Sequence, residues 1–159
     1  MTTATHASAP RGSHQRARLD KAAPEGYKRL AAVSQWLGES VLDPTLRHLI
    51  DVRVSQINGC AYCLNMHTQE ARAAGETQQR LDILAGWDET DLFTDAEKAV
   101  LAWAETLTKV GEQRAPQALY DALAEHFDEH QIAAITVAIA MMNTWNRLVV
   151  GLGTQPAKR

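Results

Sequence analysis

From Pro24 almost to the C-terminus, apolar residues recur three and four positions apart, and no stretch alternates apolar with polar long enough to make a strand. The pattern predicts an all-α domain of about six to seven helices. Pro24 opens the first helix, which runs through Tyr27, Leu30, Val33 and Leu37 to about Gly38. Asp43-Pro44, a capping carboxylate followed by a proline suited to the first helical position, starts a second that runs to about Asn58. Asn58-Gly59 interrupts it, and a third helix extends from about Cys60 to about Gly75. Thr77 opens a short fourth helix through Leu81, Leu84 and Trp87. Thr94 and Glu97 form a capping box before the apolar positions Val100, Leu101, Trp103, Ala104, Leu107 and Val110, which Gly111 ends. Pro116 starts another helix through Leu119, Tyr120, Leu123 and Phe127. Asp128 and Gln131 cap the last, which continues through Trp145 to about Val150. Between Ile132 and Met142 that helix is apolar nearly all round, so other helices or a partner subunit must cover it.

Residues 1–18 have no hydrophobic period and read as a disordered tail, with residues 19–152 as the domain and 153–159 as a flexible end. At 159 residues the chain suits one domain able to bury a core without disulfide staples. A formal net charge of -3, with no run of five like charges, offers no footprint for nucleic acid or an anionic membrane. The apolar run from Ile132 to Met142 is far short of the ~20 residues that span a bilayer. The first 18 residues also lack the apolar centre of a signal peptide. The expected compartment is therefore the cytoplasm, where thiols stay reduced and a C-x-x-C pair is more often functional than structural.

The chemistry concentrates in Cys60-Ala61-Tyr62-Cys63-Leu64-Asn65-Met66-His67. At about 100° per residue, positions 60, 63 and 67 share one helical stripe with Leu64 and Ala71, while Tyr62 and Met66 point elsewhere. Cys63 and His67 are helical neighbours, with Cβ atoms about 5–6 Å apart. Cys60 stands about 10.5 Å from His67 along the axis. The imidazole can therefore take a proton from Cys63, and only a thiolate attacks. Cys60, in the first turn, faces unpaired backbone N–H groups that favour an anion. The two arguments favour different cysteines, and spacing leaves the choice open. The pair can close into a disulfide with a small adjustment, easiest at a helix start. Two other readings are a pair of inert core cysteines and a zinc site, for which C-x2-C-x3-H offers three ligands where a structural site normally takes four.

The stretch Arg53 to Cys63, with Met66-His67-Thr68 and Ala71 to Thr77, resembles the core of the alkylhydroperoxidase AhpD-like group within the carboxymuconolactone decarboxylase family. Phe93-Thr94, Ala102 to Glu105 and Asn143 to Leu148 extend the resemblance, which covers roughly residues 23–150. It implies an all-helical fold that assembles into trimers or hexamers. It also implies a thiol peroxidase or disulfide reductase with no metal or other cofactor. In that scheme Cys63 attacks a hydroperoxide, Cys60 resolves the resulting sulfenic acid as a disulfide, and His67 moves the proton. An external dithiol, of thioredoxin or lipoyl type, then restores the thiols.

The chain departs from the pattern at one position. The family relay usually has a glutamate twelve residues before the first cysteine, and His48 stands there. Asp51 lies on the same helical face as His48 and Ser55. Three consequences are open: His48 serves as the base, Asp51 substitutes for the glutamate, or peroxidase activity is weakened with the thiol cycle intact. A redox sensor or assembly module with little or no turnover is the competing reading. Lactone decarboxylation is disfavoured, because family members with that activity generally lack the cysteine pair. His126 and His130 read as solvated helix-end residues.

Overall fold

A computed structural model describes residues 15–157, and these fold into eight α-helices and one 3-10 turn, with no strand among them. The helices are α1 (Leu19–Ala22), α2 (Pro24–Glu39), α3 (Pro44–Asn58), α4 (Ala61–Ala73), α5 (Gln78–Ile83), α6 (Asp95–Thr108), α7 (Gln117–Ala124) and α8 (Glu129–Leu152), with the 3-10 turn at Leu84–Glu89. The local signals act as expected. Asp43 accepts from the Thr45 and Leu46 amides, and Thr77 from that of Arg80. Thr94–Glu97 and Asp128–Gln131 close both arms of their capping boxes. Gly59 ends α3 in the left-handed region at φ 64°, which a β-carbon disfavours. The short α1, for which the sequence carries no apolar period, buries none of its residues.

Helix α3 is the hub, packing on α4, α6 and α8, while α8 also meets α2, α6 and α7. Two stripes of α3 serve two cores. Leu46, Ile50 and Val54 join Val100, Ala104, Ile135, Ala138 and Ile139 in the larger one. Leu49 and Val52 join Ala71, Leu81, Leu84, Phe93 and Leu101 in the smaller. Thr136, which interrupts the apolar run of α8, accepts a hydrogen bond from the Trp103 indole at 3.1 Å, so the polar atom is satisfied in the core. By length and composition α8 could cross a bilayer, since its 24 residues extend well beyond the apolar run, yet half of its most apolar window is buried within the fold.

Of the tail expected over residues 1–18, residues 1–14 lie outside the described residues. Arg16 is tied down: its amide donates to the Leu152 carbonyl (2.8 Å) and its guanidinium to the Gly151 carbonyl (2.9 Å). These carbonyls sit at the C-terminal end of α8, where the helix dipole favours a cation. Gly153 and Thr154 finish α8 with amide bonds to the Val150 and Val149 carbonyls, and residues 158–159 also lie outside the description.

Candidate functional site: a disulfide beside a buried histidine

The site forms where the third polar stripe of α3 faces α4. Its foundation is a side-chain network between α3 and α8. Asn58 donates to Asn143 (3.0 Å) and Asn146 (2.9 Å), and Asn146 donates to Ser55 (3.1 Å). Asn143 in turn donates to Thr108 (3.0 Å) and accepts from Arg147 (2.7 Å). Each buried amide thus has partners, and the end of α3 is pinned two residues before Cys60. The left-handed turn at Gly59 then delivers Cys60 to the start of α4, where its amide bonds the Ser55 carbonyl at 3.1 Å.

Cys60 is the N-cap of α4, with extended backbone (φ -85°, ψ 95°), and its sulfur accepts from the Cys63 amide at 3.3 Å. It therefore stands outside the helical phase assumed from spacing. Cys60 and Cys63 are joined as a disulfide, with α-carbons 5.3 Å apart. Both are buried, Cys60 at 0% exposure and Cys63 at 2%.

His67, one turn along α4, is also buried. Its Nδ1 lies 2.8 Å from Glu70 Oε2 and 3.8 Å from Asp51 Oδ2. Asp51 accepts both of its close bonds from Arg47 Nε, at 2.9 and 3.1 Å. Burial pushes the Asp51 carboxyl above the usual aspartate range; the charge of Arg47, then His67, the Arg47 hydrogen bond and His48 offset part of that. His48 borders the same space, and its Nδ1 is buried without a hydrogen-bond partner.

Cys63, His67, His48, Asp51 and Glu70 line one cavity of about 800 Å³, whereas Cys60 is not among its lining residues. The other walls are mostly apolar: Tyr27 and Ala31 of α2, and Met142, Trp145, Leu148 and Val149 of α8. Gln15, Arg18, Leu19 and Asp20 also line it. Tyr62 and Met66 line it too, contrary to the expectation that they point away from the cysteine stripe. The cavity is wide enough for several turns of side chains to reach it, so one stripe does not delimit it. The sequence reading also missed Glu70, although its spacing of three from His67 was a usable signal. His126 and His130 are exposed and stand apart from the site.

With the sulfurs bonded to each other, neither is a free thiolate ligand. Among the described residues, no group of three or more His, Cys, Asp or Glu side chains is arranged to hold a metal.

A model of the carboxymuconolactone decarboxylase family matches residues 21–106, a span that holds α2 to α5, most of α6 and the residues His48, Asp51, Cys60, Cys63, His67 and Glu70. The uncharacterised protein YdfG of Bacillus subtilis is 39% identical over 145 residues, covering 91% of this chain and 99% of its own. The crystal structure of a protein of unknown function from Agrobacterium tumefaciens, described as a candidate antioxidant defence protein AhpD, superposes with a TM-score of 0.89 at 38% identity. That match covers 92% of this chain and all of the other. An uncharacterised peroxidase-related protein from a Silicibacter species superposes at 0.75 with 25% identity, covering 84% of this chain and 71% of its own. With the family signature centred on Cys60, Cys63 and His67 and this fold around them, the chain belongs to the carboxymuconolactone decarboxylase family, as an AhpD-like member.

Proposed function

We propose that the protein is a cysteine-dependent peroxidase or disulfide oxidoreductase working through the Cys60–Cys63 pair. The observation that carries this reading is that one mostly apolar cavity borders Cys63 and His67 but not Cys60. A hydroperoxide entering it meets Cys63. The Cys63 thiolate attacks the distal peroxide oxygen, the O–O bond breaks, and the departing alkoxide takes up a proton to leave as an alcohol. Cys63 is then a sulfenic acid. The Cys60 thiol attacks that sulfur, water leaves, and the disulfide forms. An external dithiol supplies two electrons and two protons to regenerate both thiols. His67 accepts the Cys63 proton at the start of the cycle and is the group from which the alkoxide is protonated.

The Cys60 sulfur at the α4 N-cap suits the resolving role, because backbone amides there stabilise a thiolate. A cycle of this kind needs a reducing compartment such as the cytoplasm. By the family resemblance the working form is a trimer or hexamer, which sedimentation or light scattering of the purified protein would test.

A redox switch without turnover is the second reading, favoured by the burial of both sulfurs and by His48 at the usual glutamate position. Two measurements separate the readings. The first counts thiols before and after peroxide in the parent, Cys60→Ser and Cys63→Ser. The expected result is a trappable sulfenic acid in Cys60→Ser and an inert Cys63→Ser; the reverse pattern would exchange the two roles. The second follows peroxide loss with excess dithiothreitol. Repeated turnover supports the enzyme, and a single stoichiometric oxidation supports the switch.

A further inference from the structure

We propose that Glu70 is the positioning residue for His67: by accepting from Nδ1–H it fixes the tautomer that leaves Nε2 free to take the Cys63 proton. The proposal deepens the thiol-cycle reading above and rests on it for its chemical purpose.

Two carboxylates approach His67 Nδ1, and the geometry separates them. Glu70 Oε2 is at hydrogen-bond distance, 2.8 Å, whereas Asp51 Oδ2 stands 3.8 Å away with its close contacts given to Arg47. An ionised carboxylate can only accept, so the nitrogen facing Glu70 carries the proton. In a neutral imidazole the other nitrogen then holds the lone pair, which is the form a base requires. The ring is buried, and Glu70, three residues on along α4, is half exposed with its side chain at 50%. Glu70 thus connects an enclosed base to water, and it lines the same cavity as Cys63. It takes the task for which Asp51 and His48 were the candidates read from sequence. The bland alternative is a helix-surface pair of little consequence; it predicts no effect on the imidazole tautomer or on Cys63.

The test uses the full-length reduced protein. Imidazole ¹H–¹⁵N correlation spectra should place the His67 proton on Nδ1 in the parent. In Glu70→Gln the amide can donate as well as accept, so the tautomers should mix. In a Cys60→Ser background, alkylation of Cys63 by iodoacetamide should slow about 10-fold on adding Glu70→Gln, less than the about 10²–10⁴ attached to loss of a base itself. Glu70→Asp, which keeps a carboxylate, should retain more of the rate than Glu70→Gln. An Nε2–H tautomer in the parent, or an unchanged alkylation rate in Glu70→Gln, would overturn the proposal. If the parent thiols ignore peroxide while Glu70→Gln still shifts the tautomer and slows alkylation, the positioning role stands and the peroxidase reading fails.

Discussion

His67 draws its character from three side chains on two helices: Asp51 and Arg47 from α3, and Glu70 from its own helix. Replacing it with Asn should slow peroxide oxidation of Cys63 by about 10²–10⁴, read as the rate of thiol loss in Cys60→Ser protein. Two carboxylates respond to pH in opposite senses. Asp51 is raised above its ordinary 3.8 because it is buried. The folded state therefore holds that proton more tightly than the unfolded chain. Its contribution to stability is fully present below 3.8 and is lost as pH rises through the higher folded value. Glu97 is the reverse. Burial raises it, but hydrogen bonds from Arg80 and Thr94 and the charge of Arg80 outweigh that and leave it below its ordinary 4.5. Its contribution is present above 4.5 and disappears as pH falls through the lower folded value. Urea unfolding of Glu97→Gln between pH 3 and 6 should accordingly show a flatter acid limb than the parent.

Among the elements, the junction between α3 and α4 bears the most consequence, since one turn sets the position of both sulfurs. Gly59 at φ 64° has nothing within 4 Å of where a β-carbon would sit, so the objection to a side chain there is conformational rather than steric. Gly59→Ala should cost about 1–2 kcal/mol, measured by denaturant titration, and should slow disulfide closure by shifting Cys60. The asparagine network that anchors the same junction carries a comparable penalty. Asn146→Ala removes one partner each from Asn58, which keeps its bond to Asn143, and Ser55, which keeps its contact with the Met142 sulfur, and each lost bond costs about 0.5–1.5 kcal/mol. Much of this level was legible in advance. Asp43, Thr94, Asp128 and Gly59 act on amides and carbonyls within one turn, so their neighbours in sequence are also their neighbours in space. The phase of Cys60 was not legible in the same way, because a cap residue looks helical by spacing and departs from the helix only in its backbone angles.

For the molecule as a whole, the disulfide closes a very short loop and so contributes little through chain entropy, at most about 2 kcal/mol. Reduction should therefore leave the protein folded, with a modest fall in denaturant midpoint and an unchanged slope. Loss of cooperative unfolding on reduction would mean that the bridge is structural and would count against a redox cycle. The apolar periods, the caps and the spacing of Cys60, Cys63 and His67 belong to the chain itself, since each depends on contacts within a turn or two. The cavity belongs to the tertiary structure. Its walls come from α2, α3, α4, α8 and the segment around Arg18, separated by up to a hundred residues and more, and no local period records their meeting. Only that packing decided that Cys63 borders the cavity and Cys60 does not. It decided equally that Asp51 of α3 comes within 3.8 Å of the imidazole on α4, whereas the Arg47–Asp51 and His67–Glu70 pairs each lie within one turn of a single helix.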